Sequence, residues 1–256
     1  MIVVKNRREL DLMRQAGILL AQVFESIEPL VKAQVSTLEL EEAAFRAIRS
    51  AGLVAEACGY RGYRHATCIS INDEVVHGVP RADKIICDGD IVKIDICSSL
   101  RGYCADMARS YVIGTPRKEV TNFVNTARSA LDIGIAQAVV GARLSDVSAA
   151  IQQEVERGGY SVVRDFAGHG IGKAMHEDPE ILNYGKPGCG PVLRAGMTLA
   201  IEPMITMGDW RVFIADDGWT VRTKDGSLAA HVEDTVLITE QGPEVLTRAG
   251  VVYEKR

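Results

Sequence analysis

Two strand-like stretches, each carrying one carboxylate, recur along this chain at a fixed spacing. That repeat limits the fold more than any other feature. A shift of 107 lays Asp90-Ile91-Val92-Lys93-Ile94-Asp95 over Met197-Thr198-Leu199-Ala200-Ile201-Glu202. The same shift lays Leu38 on Ser145, Leu40 on Val147, Gly52 on Gly159 and Gly89 on Gly196. With 20 residues inserted in the second copy, Asp106 overlays Glu233. Each copy therefore reads as helix, helix, then two strands with one carboxylate apiece. A duplication of this kind predicts a pseudo-twofold site between the halves, with four carboxylates in two symmetric pairs. No linker rich in Pro, Gly or Ser separates the halves (about 1–113 and 119–240), so residues 1–256 are expected to form one domain with two related lobes.

Local signals place the elements. Asn6 and Glu9 have the spacing of a capping box, and a helix is expected over 7–31. Ser36-Thr37-Leu38-Glu39 caps a second helix, which runs to about Ser50 and stops at Ala51-Gly52. The second half repeats this over 119–140 and 145–157. Cys68-Ile69-Ser70-Ile71 reads as a short strand, and strands are expected over 210–214, 219–223 and 228–239. Asp217-Gly218 and Asp225-Gly226 are hairpin turn signals.

The strands around Asp95 and Asp106 are rich in Ile, Val and Tyr, and Ser98-Ser99-Leu100-Arg101-Gly102 supplies turn chemistry between them. A hairpin centred near Leu100 and Arg101 sets the two aspartates opposite each other, with Cβ atoms roughly 5 Å apart. Carboxylates that close in an apolar setting repel, so one protonates or a cation sits between them. The alternative is a pair of exposed aspartates on opposite faces, and both readings stand on these residues alone. His169 lies in Phe166-Ala167-Gly168-His169-Gly170-Ile171-Gly172, where the glycines permit close backbone approach. The G-x-G-x-G order lacks the Lys-Ser/Thr of a phosphate loop. A lone histidine in a turn is ordinarily structural, but four carboxylates give this one a second reading, as their nitrogen ligand. Four carboxylates and a neutral imidazole carry −4, which two divalent cations neutralise. That donor set suits Mn, Fe, Co or Zn rather than Ca, which prefers oxygen alone.

Composition narrows the class. Apolar residues make up 47% and charged residues 25%, as in ordinary globular proteins. The net charge of −5 and the lack of a basic cluster argue against nucleic acid as a partner. The chain shows neither a signal-peptide core at Met1-Ile2-Val3-Val4 nor an apolar run of membrane-spanning length. Six cysteines without a C-x-x-C pair (58, 68, 87, 97, 104 and 189) read as reduced, mostly buried thiols of a cytoplasmic protein.

Taken together, these motifs resemble the methionine aminopeptidases, in particular the bacterial type I enzymes of the pita-bread metallopeptidase family. The matching stretches are Val75-Val76-His77-Gly78-Val79-Pro80, Asp95-Ile96 with Ala105-Asp106, Gly168-His169-Gly170-Ile171-Gly172, Met175-His176-Glu177-Asp178-Pro179, Ile201-Glu202-Pro203-Met204 and Val232-Glu233-Asp234-Thr235. They follow in order along nearly the whole chain, without a long N-terminal extension or the large insertion of the type II enzymes. The resemblance implies a mixed α/β (α+β) pita-bread fold: a pseudo-twofold, two-lobed antiparallel sheet covered by two pairs of helices. It implies a metal-dependent aminopeptidase that removes the initiator methionine from nascent proteins when the second residue is small.

The resemblance also implies roles. Asp95 would hold one of two divalent ions (Co, Mn, Fe or Zn), Asp106 and Glu233 would bridge both, and His169 and Glu202 would complete the ligands of the second ion. Glu202 would also move protons. His77 and His176 would contact the substrate backbone, with His176 facing the developing oxyanion. Tyr60, Tyr63, Cys68, Met175 and Trp219 would line the methionine pocket. The expected partners are peptide N-termini, with the ribosome nearby, and the expected state is a monomer. His231 and Cys104 each lie two positions before a ligand and share its strand face; either tunes the site or is neutral. His176-Glu177-Asp178-Pro179-Glu180 is not the H-E-x-x-H of helical zinc proteases, since Pro179 disfavours a helix. Two other readings are a proline-directed sister peptidase and an inactive homologue that binds peptides or ribosomes.

Overall fold

The computed structural model describes residues 2–248. The first half begins with α1 (Arg7–Ile27) and α2 (Thr37–Ser50). Both open with the expected capping boxes, Asn6 with Glu9 and Ser36 with Glu39. Helix α1 stops at Ile27, earlier than the expected residue 31. Glu28 is still helical (φ −51°, ψ −42°), but Pro29 has no N–H to continue the ladder, and Glu28-Pro29-Leu30 forms a 3₁₀ turn instead. There follow β1 (Val54–Ala55), β2 (Cys68–Ile71), β3 (Glu74–Val76), β4 (Ile91–Leu100) and β5 (Tyr103–Val112).

The second half opens with α3 (Lys118–Gln137) and α4 (Leu144–Arg157). Its strands are β6 (Ser161–Val162), β7 (Ala167–Gly170), β8 (Glu177–Leu182), β9 (Thr198–Ile201) and β10 (Met204–Thr206), then β11 (Val212–Ile214), β12 (Val221–Thr223), β13 (Ala229–His231), β14 (Glu233–Thr239) and β15 (Gly242–Val245). The strand expected over 228–239 breaks at Val232. Its amide bonds to the carbonyl of Pro203, outside the ladder.

The main sheet runs β1-β4-β5-β14-β9-β7-β8, with β2 on β4 and β15 on β14. The repeat is visible in this order. Strands β5 and β14 are adjacent at the centre, and their partners β4 and β9 flank them, so a pseudo-twofold axis passes between β5 and β14. Alternation along each strand then sorts the side chains. Val92, Ile94, Ile96, Ala105 and Met107 pack on Leu20, Phe24, Leu40 and Ile48 of α1 and α2. Leu199, Ile201, Val236 and Ile238 pack on Phe123, Leu131, Val147 and Ile151 of α3 and α4. Asp95, Asp106, Glu202 and Glu233 alternate with these residues and so point to the opposite face.

One expected register is corrected. Strand β4 continues to Leu100, which pairs with Tyr103, so the hairpin turns on Arg101-Gly102 alone. Both residues have positive φ, 51° and 78°, as the two-residue turn requires. Asp106 therefore pairs with Cys97, and Asp95 with Ala108. The aspartates share a face as diagonal neighbours, not as a directly opposed pair. The cysteines also differ from expectation. All six are free thiols, but Cys58, Cys87 and Cys189 are exposed, because they lie in loops rather than in the sheet.

The 20 residues inserted in the second copy form a separate layer. Strands β11 and β12 pair with β3 in a small sheet, and β10 pairs with β6 and β13 in another. Ile214, Val221 and Trp219, the last in the β11–β12 turn, line one cavity with Asp95, Asp106 and Glu233, so this layer stands over the carboxylate face of the main sheet. Among the described residues, no helix is long and apolar enough to cross a membrane.

Candidate active site

Five side chains converge from five strands or strand ends. Asp95 and Asp106 come from β4 and β5, Glu233 from the start of β14, Glu202 from the residue after β9, and His169 from β7. Ala108 pairs with Asp95 on one side and with Glu233 on the other. His169 pairs with Ala200, two residues before Glu202. Its Nε2 lies 3.6 Å from Glu202 Oε1 and 3.9 Å from Asp106 Oδ2. The flanking glycines make this approach possible. A Cβ on Gly168 would stand 2.4 Å from the Ala200 carbonyl oxygen, and one on Gly170 would stand 2.0 Å from that of Asp178.

The electrostatics of this cluster are unfavourable without a cation. Burial, with the neighbouring Asp106 and Glu202, pushes Asp95 well above the carboxylate range. Burial raises Glu202 to about 8. Burial and Glu202 together raise Asp106 to about 7. Glu233 is driven well up by burial and then by Asp106 and Glu202. His169 is pushed down to about 4, chiefly by burial, and so is neutral.

The donor set fits a divalent cation on three counts. Ligand atoms of Asp106, His169 and Glu233 lie within 4.8 Å of one another, and so do those of Glu202, His231 and Glu233. Glu233 Oε1 is buried with no hydrogen-bond partner. His169 Nδ1 is 2.9 Å from the Gly170 carbonyl oxygen, which can only accept. The proton therefore sits on Nδ1 and Nε2 is left as a lone-pair donor, the arrangement usual for a metal-bound imidazole.

Above the cluster is a cavity of about 310 Å³, at the lower end of the range for ligand pockets, ~300–1,000 Å³. Tyr60, Tyr63, Cys68, Met175 and Trp219 all line it, as do His77 and His176. Tyr63 and Trp219 meet edge to face at 4.9 Å, and the Tyr63 hydroxyl donates to the Thr67 carbonyl at 2.9 Å. Cys68 pairs with Asp95 across β2 and β4, which sets the pocket wall beside the carboxylates. His176 is exposed at the mouth, its ring 4.4 Å from that of His169 and its Nδ1 3.2 Å from the Tyr60 hydroxyl. His77 has a left-handed backbone (φ 58°) and packs on Phe166 at 5.7 Å.

Several contributors were not legible as site residues. Phe166 and Ile214 also line the cavity. Asp234, on the helix side of β14, is fully buried between Arg109 (2.7 Å) and Arg248 (2.6 Å) and anchors the strand that presents Glu233. Lys5 Nζ pairs with Glu177 at 2.7 Å, next to His176. Asp234 follows Glu233 directly, and alternation alone puts it on the other face. Lys5 carries no local signal. Of the two neighbours singled out earlier, His231 reaches Glu202, with Nε2 3.3 Å from Oε2. Cys104 lies in an apolar cluster with Met13, Leu237, Leu246 and Cys97, the partner of Asp106 across the hairpin.

Comparison with known proteins gives the family and the fold. Residues 11–240 match metallopeptidase family M24. The chain is 44% identical over 247 residues to a methionine aminopeptidase of Clostridium acetobutylicum, spanning 96% of this chain and 99% of that protein. It is 43% identical over 248 residues to methionine aminopeptidase 1 of Bacillus subtilis, spanning 97% and 100%. A crystal structure of methionine aminopeptidase from Thermotoga maritima superposes with a TM-score of 0.95 at 42% identity, covering 97% of this chain and 100% of that one. A prolidase from Pyrococcus furiosus gives a TM-score of 0.79 at 23% identity, covering 97% of this chain and 66% of the prolidase, and shares the fold alone.

Proposed function

The chain belongs to metallopeptidase family M24, and from that membership we propose that it acts as a metal-dependent aminopeptidase on polypeptides that begin with methionine. The substrate would be the N-terminus of a newly made cytoplasmic protein, cut when the second residue is small. The observation that carries this reading is the convergence of Asp95, Asp106, His169, Glu202 and Glu233 beneath a cavity walled by Tyr63, Cys68 and Trp219.

Asp95, Asp106, His169, Glu202 and Glu233 would hold two divalent ions, drawn from Mn, Fe, Co or Zn. Donor atoms of Glu233 lie close to those of Asp106 and His169 and also to that of Glu202, which supports its being shared between the ions. When bound, such ions polarise a carbonyl and bring the pKa of water toward neutrality. The remaining chemistry belongs to the side chains. Glu202 takes the proton of the attacking water and passes it to the leaving amine, a task suited to a carboxylate beside the nucleophile.

His176 completes the arrangement. The Tyr60 hydroxyl lies 3.2 Å from Nδ1; with the hydroxyl as donor, the imidazole proton sits on Nε2, from which it can donate to the developing oxyanion. His77, held at the cavity wall by its turn and by Phe166, contacts the substrate backbone. A methionine thioether suits walls of aromatic rings and sulfur, because it is apolar and polarisable.

The test is release of free methionine from Met-Ala-Ser, with Xaa-Pro peptides alongside, after chelation and again after adding back Mn or Co. Metal-dependent release from Met-Ala-Ser alone supports the proposal. Cleavage of the Xaa-Pro peptides instead would transfer the chain to proline-directed chemistry. Absence of turnover with any metal, in a protein that still binds ions, would refute an enzymatic role.

A further inference from the structure

His231 is the last residue of β13 and is 1% exposed. Its backbone is fixed on both sides by Ser110 Oγ, which accepts from the amide at 3.2 Å and donates to the carbonyl at 2.8 Å. The ring has no such partners: neither nitrogen makes an aligned hydrogen bond. Buried polar groups are ordinarily paired, so an imidazole of this kind needs a reason to be there. The acceptor within reach is Glu202 Oε2, 3.3 Å from Nε2.

The two histidines bracket one carboxylate from opposite oxygens. His169 faces Oε1 and His231 faces Oε2. They do not play the same part. The proton of His169 is committed to the Gly170 carbonyl on Nδ1, so its Nε2 has nothing to donate to Glu202. His231 has no carbonyl on its Nδ1 and is free to carry its proton on Nε2, 3.3 Å from Oε2, where a rotation of either side chain would bring the pair into line. Among the described residues, it is the side chain placed to donate to the Glu202 carboxylate. A carboxylate accepts only, so the pair is matched.

We propose that His231 is the positioning residue of Glu202: it donates to Oε2 and so keeps Oε1 turned toward His169 and the substrate. This rests on the role given to Glu202 above. The outer nitrogen also separates this role from that of a metal ligand. A metal-bound imidazole usually donates through its second nitrogen, as His169 does, and His231 has nothing to donate to there.

The experiment compares wild type with His231→Leu, His231→Gln and His231→Asn. The glutamine amide reaches about as far as the imidazole Nε2, and the asparagine amide falls short. Thermal melting establishes that each variant is folded. Titration of the metal-free proteins with Mn is expected to give the same stoichiometry for all four. The visible absorption of the Co-loaded proteins, without substrate, is expected to change in the Leu and Asn variants and return with Gln. With Met-Ala-Ser, kcat is expected to fall about 10–100-fold in Leu and Asn, with KM within about threefold and most of kcat recovered in Gln. A Leu variant with the wild-type spectrum and kcat overturns the proposal. So does loss of a bound equivalent of Mn in both Leu and Gln, which would make His231 a ligand. If wild type releases no methionine, the proposed function fails, while stoichiometry and spectrum still decide the part played by His231.

Discussion

Asp95 and Glu233 face the same residue, Ala108, from opposite sides: β4 pairs Asp95 with it and β14 pairs Glu233 with it. Residues directly paired across a ladder point to the same face, so the Ala108 methyl lies between two carboxylates. Adjacent strands are roughly 4.8 Å apart, which puts the Asp95 and Glu233 backbones roughly 10 Å apart. Two acidic side chains reaching inward across that gap leave room for cations above the alanine. Ala108 is fully buried, so no larger side chain can swing away into solvent.

Ala108→Leu fills this gap. Its overpacking is expected to cost about 1–3 kcal/mol of stability in the metal-free protein. Manganese affinity is expected to fall by about tenfold or more, because the carboxylates are pushed apart. Urea denaturation and calorimetric titration of the variant check the two effects separately.

The metal-free protein is expected to lose stability as pH rises from about 6.5 to 8. The sign follows from which state holds more protons. Asp106 and Glu202 are raised to about 7 and about 8, and Asp95 and Glu233 are raised well above their usual range. In that window the folded state keeps protons that the unfolded chain has already lost, so the free energy of unfolding falls with pH. His169, His77 and His231, lowered to about 4, act in the opposite direction, but most of their contribution falls below pH 6.5 and the remainder fades within about a unit above it, leaving the four carboxylates dominant. Lys93, lowered to about 7 by burial, offsets part of the fall above that pH. Urea midpoints at pH 6.5 and 8 in the presence of chelator test this; a midpoint that rises with pH would contradict it. Adding Mn is expected to remove the decline.

His176→Ala should lower kcat about 10²–10³-fold while metal stoichiometry is unchanged, since the proposed role of its ring is to donate to the oxyanion and not to hold the ions. Stopped assays with Met-Ala-Ser, beside metal analysis of the same samples, measure both quantities. Loss of bound metal would show that its role is misassigned.

Lys5 should act on catalysis from a distance. Its ammonium pairs with Glu177 Oε2, while Glu177 Oε1 accepts from the amides of Lys173 (2.9 Å) and Ala174 (3.3 Å). One carboxylate thus ties the N-terminal segment to the loop that presents Met175 and His176. Lys5→Met leaves that carboxylate without its cation and is expected to cost about 1–3 kcal/mol. It should lower kcat through His176, with the double variant Lys5→Met, Glu177→Gln recovering part of the stability. Thermal melts and kcat for the single and double variants check this.

The part of this arrangement that rests on alternation and capping was legible in the sequence. Asn6, Glu9, Ser36 and Glu39 mark their helix starts, and the apolar neighbours of Asp95 and Glu202 mark the face that carries helices. The four carboxylates were read from the repeat, and His169 only as the nitrogen ligand that those carboxylates lacked. The Asp95–Asp106 register did not follow, because Arg101 adopts a left-handed conformation more typical of Asn, Asp or Gly, so the turn is shorter than composition suggests. The pocket layer was legible only as extra hairpins, since their pairing with β3 joins residues far apart in sequence. The contacts of Lys5 with Glu177 and of His231 with Glu202 are tertiary in the same sense, and no spacing announces them.

The most direct measurement is anomalous diffraction at the manganese edge from crystals of the chelated protein soaked in Mn. The expected result is anomalous density bounded by Asp95, Asp106, His169, Glu202 and Glu233, and its disappearance from crystals of Glu233→Ala. Manganese bound elsewhere, or retained in the cluster without Glu233, would contradict the assignment of this site as the metal centre.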